Sequence, residues 1–253
     1  MENNAQNSRE SQAHTHIKGP FIYTKTKVVQ HQPHHLQHNR IIAGFKPGPW
    51  LESYKMLRTR CLQLMDANKW NTLAITSPSS GSGNSLTAAN LAISIAMEFN
   101  RSVLLVDANF QNPGISQLFN IDNNVGLDRY LLNDIALPDL LINPGINGLV
   151  VLPAGQAILN SAEMLRSPKM VELVQELKQR YPSRIIIFDL PPLLSHDDTL
   201  GFIPAVDCTL LVSVEGYTKT EELKKSATLL KDLNVLGTVF NKASDLKIKY
   251  SVN

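Results

Sequence analysis

The sequence predicts an α/β fold, a mainly parallel, doubly wound sheet flanked by helices on both faces. Three observations carry this. From Asn71 onward, apolar runs alternate with amphipathic segments. The runs at 102–107 and 184–189 are apolar almost throughout, as parallel strands covered on both faces are. A small-residue loop, 77–85, separates an apolar run from an apolar-periodic segment. That strand–loop–helix order aims backbone N–H groups and a helix N-terminus at an anion.

The elements follow in chain order. Residues 1–39 are polar and hold six of the seven histidines: His14, His16, His31, His34, His35 and His38. They offer too few apolar side chains for a core, so a disordered tail is expected. Such a tract can also bind metal, but a solvated low-complexity tail is the simpler reading. The folded domain is expected over 40–245. It opens with Arg40-Ile-Ile-Ala43, read as an extended piece added to a sheet or to a neighbour. Pro47-Gly-Pro49 breaks the chain. Over 51–65, Leu51, Tyr54, Leu57, Cys61 and Leu64 or Met65 share one side of a helix. Glu52, Lys55 and Arg58 are three apart and line one side of it. They form either an ordinary solvated face or a subunit contact that meets opposite charges on a neighbour.

Core strands are expected at 71–77, 102–107, 148–153, 184–189, 208–213 and 236–241. Helices are expected at 86–100, 115–119, 126–133, 161–180 with a restart at Pro168, and 197–205. A last helix runs to 233 and opens on a capping box of Thr218 and Glu221. Residues 246–253 form a short polar tail.

Bulk properties exclude several classes. The 253 residues suffice for one large α/β domain. A net charge of +2 is no electrostatic footprint for nucleic acid, and no nucleic-acid partner is expected. Cys61 and Cys208 lie far apart without metal-site spacing and read as reduced core thiols of a cytosolic chain. No apolar run reaches the ~18 residues of a membrane span, and the N-terminus lacks a signal-peptide core. A cytoplasmic location is expected, with any membrane association through a partner.

The ends of the strands carry the chemistry. In such sheets the ligand sits beyond the strand C-termini, where the glycine loop, Asp107, Asp189 and Asn241 all fall. Gly81 and Gly83 let backbone approach phosphates. Ser85 places a hydroxyl where it can bind Mg²⁺. Asp107 and Asp189 end apolar strands, where a carboxylate is costly unless solvated, paired or near a cation. Mg²⁺ on nucleotide phosphates is the usual cation; a cap or turn role is the alternative. The phosphate-binding loop of P-loop NTPases ends Gly-Lys-Ser/Thr. Here Gly83 is followed by Asn84 and Ser85. Asn brings a donor but no charge, so phosphoryl transfer should suffer more than binding.

Taken together, residues 40–43, Glu52-x-x-Lys55-x-x-Arg58, 77–85, 103–113, 152–155, 188–192 and 235–241 resemble one family. It is the bacterial tyrosine kinases of exopolysaccharide biosynthesis, of the CpsD/CapB type with their exosortase-associated tyrosine autokinase relatives. These form part of the MinD/ParA-like branch of P-loop ATPases. The resemblance implies an ATP and Mg²⁺ site. Its Walker A loop includes Ser80, Gly81, Ser82, Gly83, Asn84, Ser85 and Leu86, with Ser85 on Mg²⁺. It implies Asp107 as a Mg²⁺-site acid or base, Asp189 as the Walker B acid and Asn241 as the adenine reader. Glu52, Lys55 and Arg58 correspond to the ring-forming Glu-Arg-Arg motif, with lysine for the first arginine. The implied partner is a membrane polysaccharide co-polymerase, or chain-length determinant, which would hold the chain at the inner membrane. A homo-oligomer or a competent paralogue is a further expected partner.

Departures from the family cluster. The Walker A lysine is Asn84, the second acid of Walker A′ is Asn109, and the arginine that commonly follows is Gln111. The tyrosine-rich tail is reduced to Tyr250, the remaining phosphoacceptor candidate. The expectation is a family member with weak or absent kinase activity. The alternatives are an active autokinase using a substitute cation and a MinD/ParA-like positioning ATPase. The latter ranks last, because Ser79 stands where its signature lysine belongs and the tail is too short for a membrane helix.

Overall fold

A computed structural model describes residues 26–244 apart from 31–32, 46, 134, 159 and 196. His14, His16, His31 and Tyr250 lie outside the described residues. Eight strands are described: β1 (Lys27–Val28), β2 (Thr72–Thr76), β3 (Ser102–Asp107), β4 (Ile142–Asn143), β5 (Leu149–Leu152), β6 (Arg184–Asp189), β7 (Cys208–Val214) and β8 (Val235–Asn241). The helices are α1 (Pro33–His38), α2 (Pro49–Asn68), α3 (Asn84–Ala96), α4 (Ile115–Leu118), α5 (Leu127–Asn133), α6 (Leu137–Leu140), α7 (Ser161–Leu165), α8 (Pro168–Arg180), α9 (Asp198–Phe202) and α10 (Thr220–Leu229).

The strands form one sheet in the order β1-β4-β5-β3-β6-β2-β7-β8. All neighbours are parallel except β4 and β5. The predicted doubly wound architecture is therefore observed. Side chains alternate across each strand, and the two cores divide accordingly. Leu73, Ile75, Val103, Leu105, Ile185 and Ile187 face α2 and α3. Ala74, Leu104, Val106, Ile186 and Phe188 face the layer that includes α8 and α9. Cys61 and Cys208 are buried and unpaired, and burial pushes both thiols up to about 12.

Four local expectations are corrected. The piece at 40–43 is a packed turn, not a strand. Arg40 takes φ 58°, Ile41 and Ile42 are buried, and Ile42–Gly44 form a 3₁₀ turn. The Asn90 side chain on α3 clamps it: Oδ1 accepts the Ile42 N–H at 2.9 Å and Nδ2 donates to the Arg40 carbonyl at 3.0 Å. Order also begins before residue 40. Strand β1 pairs with β4, and Leu36 of α1 joins the core while His34, His35 and His38 stay exposed. Helix α2 starts at Pro49, where a missing N–H costs nothing, and is capped by Lys69 in the left-handed region. The box of α10 sits one residue later than predicted. Glu222 accepts the Lys219 N–H at 3.0 Å, while the Thr218 hydroxyl accepts the Val214 N–H at 2.8 Å. Among the described residues no helix is long and apolar enough to cross a membrane.

Candidate functional site

The parallel register brings the C-termini of β2, β3, β6, β7 and β8 to one edge. The glycine loop leaves β2 there and is shaped by its own hydroxyls. Ser77 Oγ and Ser82 Oγ both donate to the Ser79 carbonyl, at 2.9 and 2.8 Å. Gly81 and Gly83 adopt φ 77° and 82°. Gly83 caps α3, and a Cβ there would lie 2.4 Å from Asn241 Nδ2. The positive φ favours glycine at 83, and a Cβ there would also push the Asn241 amide off the loop. The first N–H groups of α3 have no partner within the helix. Ser80 is exposed, and Ser85 and Leu86 are half-buried at that helix start.

Two carboxylates meet beneath the loop. Asp107 and Asp189 are register partners at the ends of β3 and β6, and both are fully buried. Asp107 is also a turn anchor, so the cap role named as its alternative is realised. Its Oδ1 accepts the Asn109 N–H at 3.2 Å, and its Oδ2 accepts the Gly114 and Ile115 N–H groups at 3.0 Å each. Burial pushes Asp107 up to about 6 despite those donors. Burial, and next the Asp107 charge, hold Asp189 well above the usual carboxylate range; the nearby Ser85 hydroxyl and the Asn84 amide oppose this only in part. Asp189 Oδ2 is buried without a hydrogen-bond partner. An orphaned carboxylate oxygen beside a second acid and a serine hydroxyl is a donor set that fits Mg²⁺, which commonly takes one or two carboxylates plus phosphate and water.

Asn84 does not face outward. It is 8% exposed, and its Nδ2 donates to Asp189 Oδ1 at 3.2 Å and to the Leu190 carbonyl at 2.8 Å. Position 84 therefore supports the acid. Asn241 reaches the loop, but both ends of its amide are engaged. Nδ2 donates to the Ser82 carbonyl at 2.8 Å and Oδ1 accepts the Lys242 N–H at 2.9 Å. Asn109 Oδ1 accepts the Asn112 N–H at 3.2 Å. Gln111 Nε2 donates to both oxygens of buried Asp198, at 3.2 and 3.1 Å, and Ser161 Oγ also donates to Asp198. Asp198 and Lys242 were missed by sequence reasoning. Lys242 was within reach of it, since it directly follows Asn241 at a strand C-terminus. Asp198, the first residue of the short helix α9, reads in sequence as an ordinary helix-start acid.

The charged trio on α2 is split. Lys55 pairs with Glu52 at 2.8 Å on the surface. Arg58 turns inward, donating to the Ser94 carbonyl at 3.0 Å and pairing with Glu98 at 2.7 Å. Arg58→Ala is therefore expected to cost ~1.5–3 kcal/mol of stability. Glu52→Lys should stay within ~0.5 kcal/mol. Urea denaturation checks both; an unshifted Arg58→Ala midpoint would contradict the internal role. Glu52→Lys is consequently the cleaner probe of self-association, read by sedimentation.

No protein-family model matches the sequence. Among curated proteins, tyrosine-protein kinase YwqD of Bacillus subtilis is 32% identical over 192 residues, spanning 75% of this chain and 80% of YwqD. The succinoglycan biosynthesis transport protein ExoP of Rhizobium meliloti is 28% identical over 220 residues, spanning 84% of this chain and 28% of ExoP. Among solved structures, the chimerical protein CapA2B2 superposes with a TM-score of 0.75 at 26% identity, covering 87% of this chain and 94% of that one. The septum site-determining protein MinD of Pyrococcus horikoshii, complexed with Mg-ADP, superposes at 0.57 with 24% identity, covering 67% and 69%, and so shares the fold. With that extent of similarity to YwqD, the chain belongs to the bacterial tyrosine-protein kinase family and has its MinD-like P-loop fold.

Proposed function

We propose that this chain is an ATP-binding member of the tyrosine-kinase family that regulates exopolysaccharide biosynthesis or export, with impaired catalysis. The single observation that supports impairment is the state of position 84. A neutral amide is turned onto Asp189 and Leu190, so the loop lacks the ammonium that would neutralise β- and γ-phosphates. Binding is supported by what remains. Gly81, Gly83 and the start of α3 offer backbone donors to phosphate, with Ser80, Ser82 and Leu86 around them. Ser85, Asp107 and Asp189 would hold Mg²⁺, and Asp107 would accept a proton from an attacking hydroxyl. Mg-ATP, when bound, would supply the phosphoryl group and neutralise the two acids. Asn241 would have to release Ser82 or Lys242 to read adenine.

The polysaccharide setting rests on the family and on ExoP. A membrane polysaccharide co-polymerase is the proposed partner, with a competent paralogue or further copies of this chain joining through α2. The chain would work on the cytoplasmic face of the inner membrane through that partner. Isothermal titration with Mg-ATP, alongside a phosphotyrosine assay, tests the reading. Weak binding with no phosphotyrosine is expected. Robust autophosphorylation would overturn impairment, and absent binding would overturn the nucleotide site.

A further inference from the structure

We propose that Lys242 supplies the glycine loop, from the far end of the chain, with the cation that position 84 lacks, binding the polyphosphate of a nucleoside triphosphate. The inference rests on the nucleotide reading above and adds a specific residue to it. Lys242 Nζ donates to the Gly81 carbonyl at 3.0 Å. Directly beside it, Asn241 Nδ2 donates to the Ser82 carbonyl at 2.8 Å. Two consecutive side chains, the last of β8 and the one that follows it, thus hold two consecutive carbonyls of the loop.

The lysine is placed by backbone, not by chance of a long side chain. Its N–H donates to Asn241 Oδ1, and its own φ is 56°, in the left-handed region. The turn is fixed on its other side. Glu215 N–H donates to the Asn241 carbonyl at 3.2 Å, and Glu215 Oε2 accepts both the N–H and the hydroxyl of Ser244, at 2.6 and 2.9 Å. Those two donors, the N–H first, hold the Glu215 carboxyl below its ordinary value. A Cβ built at Gly81 would meet nothing within 4 Å, so the loop is open beside the ammonium.

The two positions differ in what they can do. A lysine at 84 would stand at the helix start beside Asp189. Lys242 stands on the loop's outer rim, exposed and hydrogen-bonded to a neutral carbonyl. A carbonyl is a weaker partner than a phosphate oxygen, so the ammonium can exchange one for the other. From the rim it adds to ground-state binding. It has no contact with the acid pair where transfer would occur. Retained binding with poor transfer is the combination expected.

Titration of the parent chain, Lys242→Gln and Lys242→Arg with Mg-ATP and with AMP tests this. Gln keeps a donor for the Gly81 carbonyl and removes the charge. It is expected to weaken Mg-ATP binding about tenfold and AMP binding much less, with Arg restoring the parent value. The gap should narrow in ~1 M salt, because the site is exposed. Equal Mg-ATP affinity for parent and Gln variant overturns the proposal alone. So does an equal loss for ATP and AMP, which marks Lys242 as a structural staple. No Mg-ATP binding by the parent overturns both this proposal and the nucleotide reading beneath it.

Discussion

Asn84→Lys is expected to tighten Mg-ATP binding by roughly 10- to 100-fold. A unit charge about 4 Å from a phosphate oxygen is worth ~4 kcal/mol at an effective dielectric near 20, which sets the upper limit. The limit is not reached, because the new ammonium replaces an amide that already lies 3.2 Å from Asp189 Oδ1. Without nucleotide it pairs with that carboxylate, and phosphate must compete. Removing the competitor shows this directly. In Asn84→Lys combined with Asp189→Asn, the effects on nucleotide-free stability should be non-additive, as residues in contact are. Isothermal titration measures the affinity, and denaturant unfolding measures the coupling. An Asn84→Lys affinity equal to the parent's would mean that the loop's deficit lies elsewhere than at this residue.

Asp189→Asn is expected to stabilise the metal-free protein near neutral pH, against the usual direction of a core substitution. Both acids of the pair have folded values raised above the ordinary 3.8, Asp107 to about 6 and Asp189 further. A raised acid holds more protons folded than unfolded, so stability falls as pH rises from about 4 through 6 and beyond. Burial alone raises Asp107, whereas Asp189 carries both its own burial and the Asp107 charge, and it is this second burden that the substitution removes. The amide introduced by Asp189→Asn keeps an oxygen for Asn84 and removes the like charge. The gain at pH 7.5 in EDTA should be about 1 kcal/mol, a few degrees in Tm for a chain of this size. The gain should vanish near pH 4, where both acids are protonated in the parent. Asp207 titrates in the opposite sense. Lys178 and the Asn71 and Thr72 donors hold it below 3.8 despite burial, so its contribution is lost only in stronger acid, in parent and variant alike. Thermal unfolding at the two pH values decides the matter. A variant less stable than the parent at pH 7.5, or an offset that is the same at both, would contradict the charge conflict.

Much of this site was readable before any coordinates. An aspartate closing a run such as Ser102–Asp107 or Arg184–Asp189 is conspicuous because the four residues before it are all apolar. The parallel-sheet rule then brings such ends together. What escaped depends on partners distant in sequence. The run at 40–43 is apolar enough for a strand, and only the Asn90 amide, on α3, makes it a turn. Strands β1 and β4 are two residues each, shorter than any alternation can mark. Arg58 has the spacing of a surface charge and nonetheless turns in, because Ser94 and Glu98 lie beneath it. Lys242 is marked by its place after Asn241, but its reach to the Gly81 carbonyl shows only when β8 and the loop are seen together.

The sheet order has a consequence for the growing chain. Strand β2, which carries the glycine loop, lies between β6 and β7. Asn84 and its Asp189 partner are 105 residues apart, and Thr72 and Asp207 are 135 apart. At synthesis rates of ~5–20 residues per second, Asp189 is made roughly 5–20 s after Asn84. During that interval β2 and α3 exist with neither flanking strand available. Helix α3 already has α2 and β3 to pack against, but both edges of β2 wait, because loop closure over such separations precedes any reward from pairing. Strand β2 is thus made early and flanked late, and release before residue 189 would leave the glycine loop on a strand with neither of its neighbours.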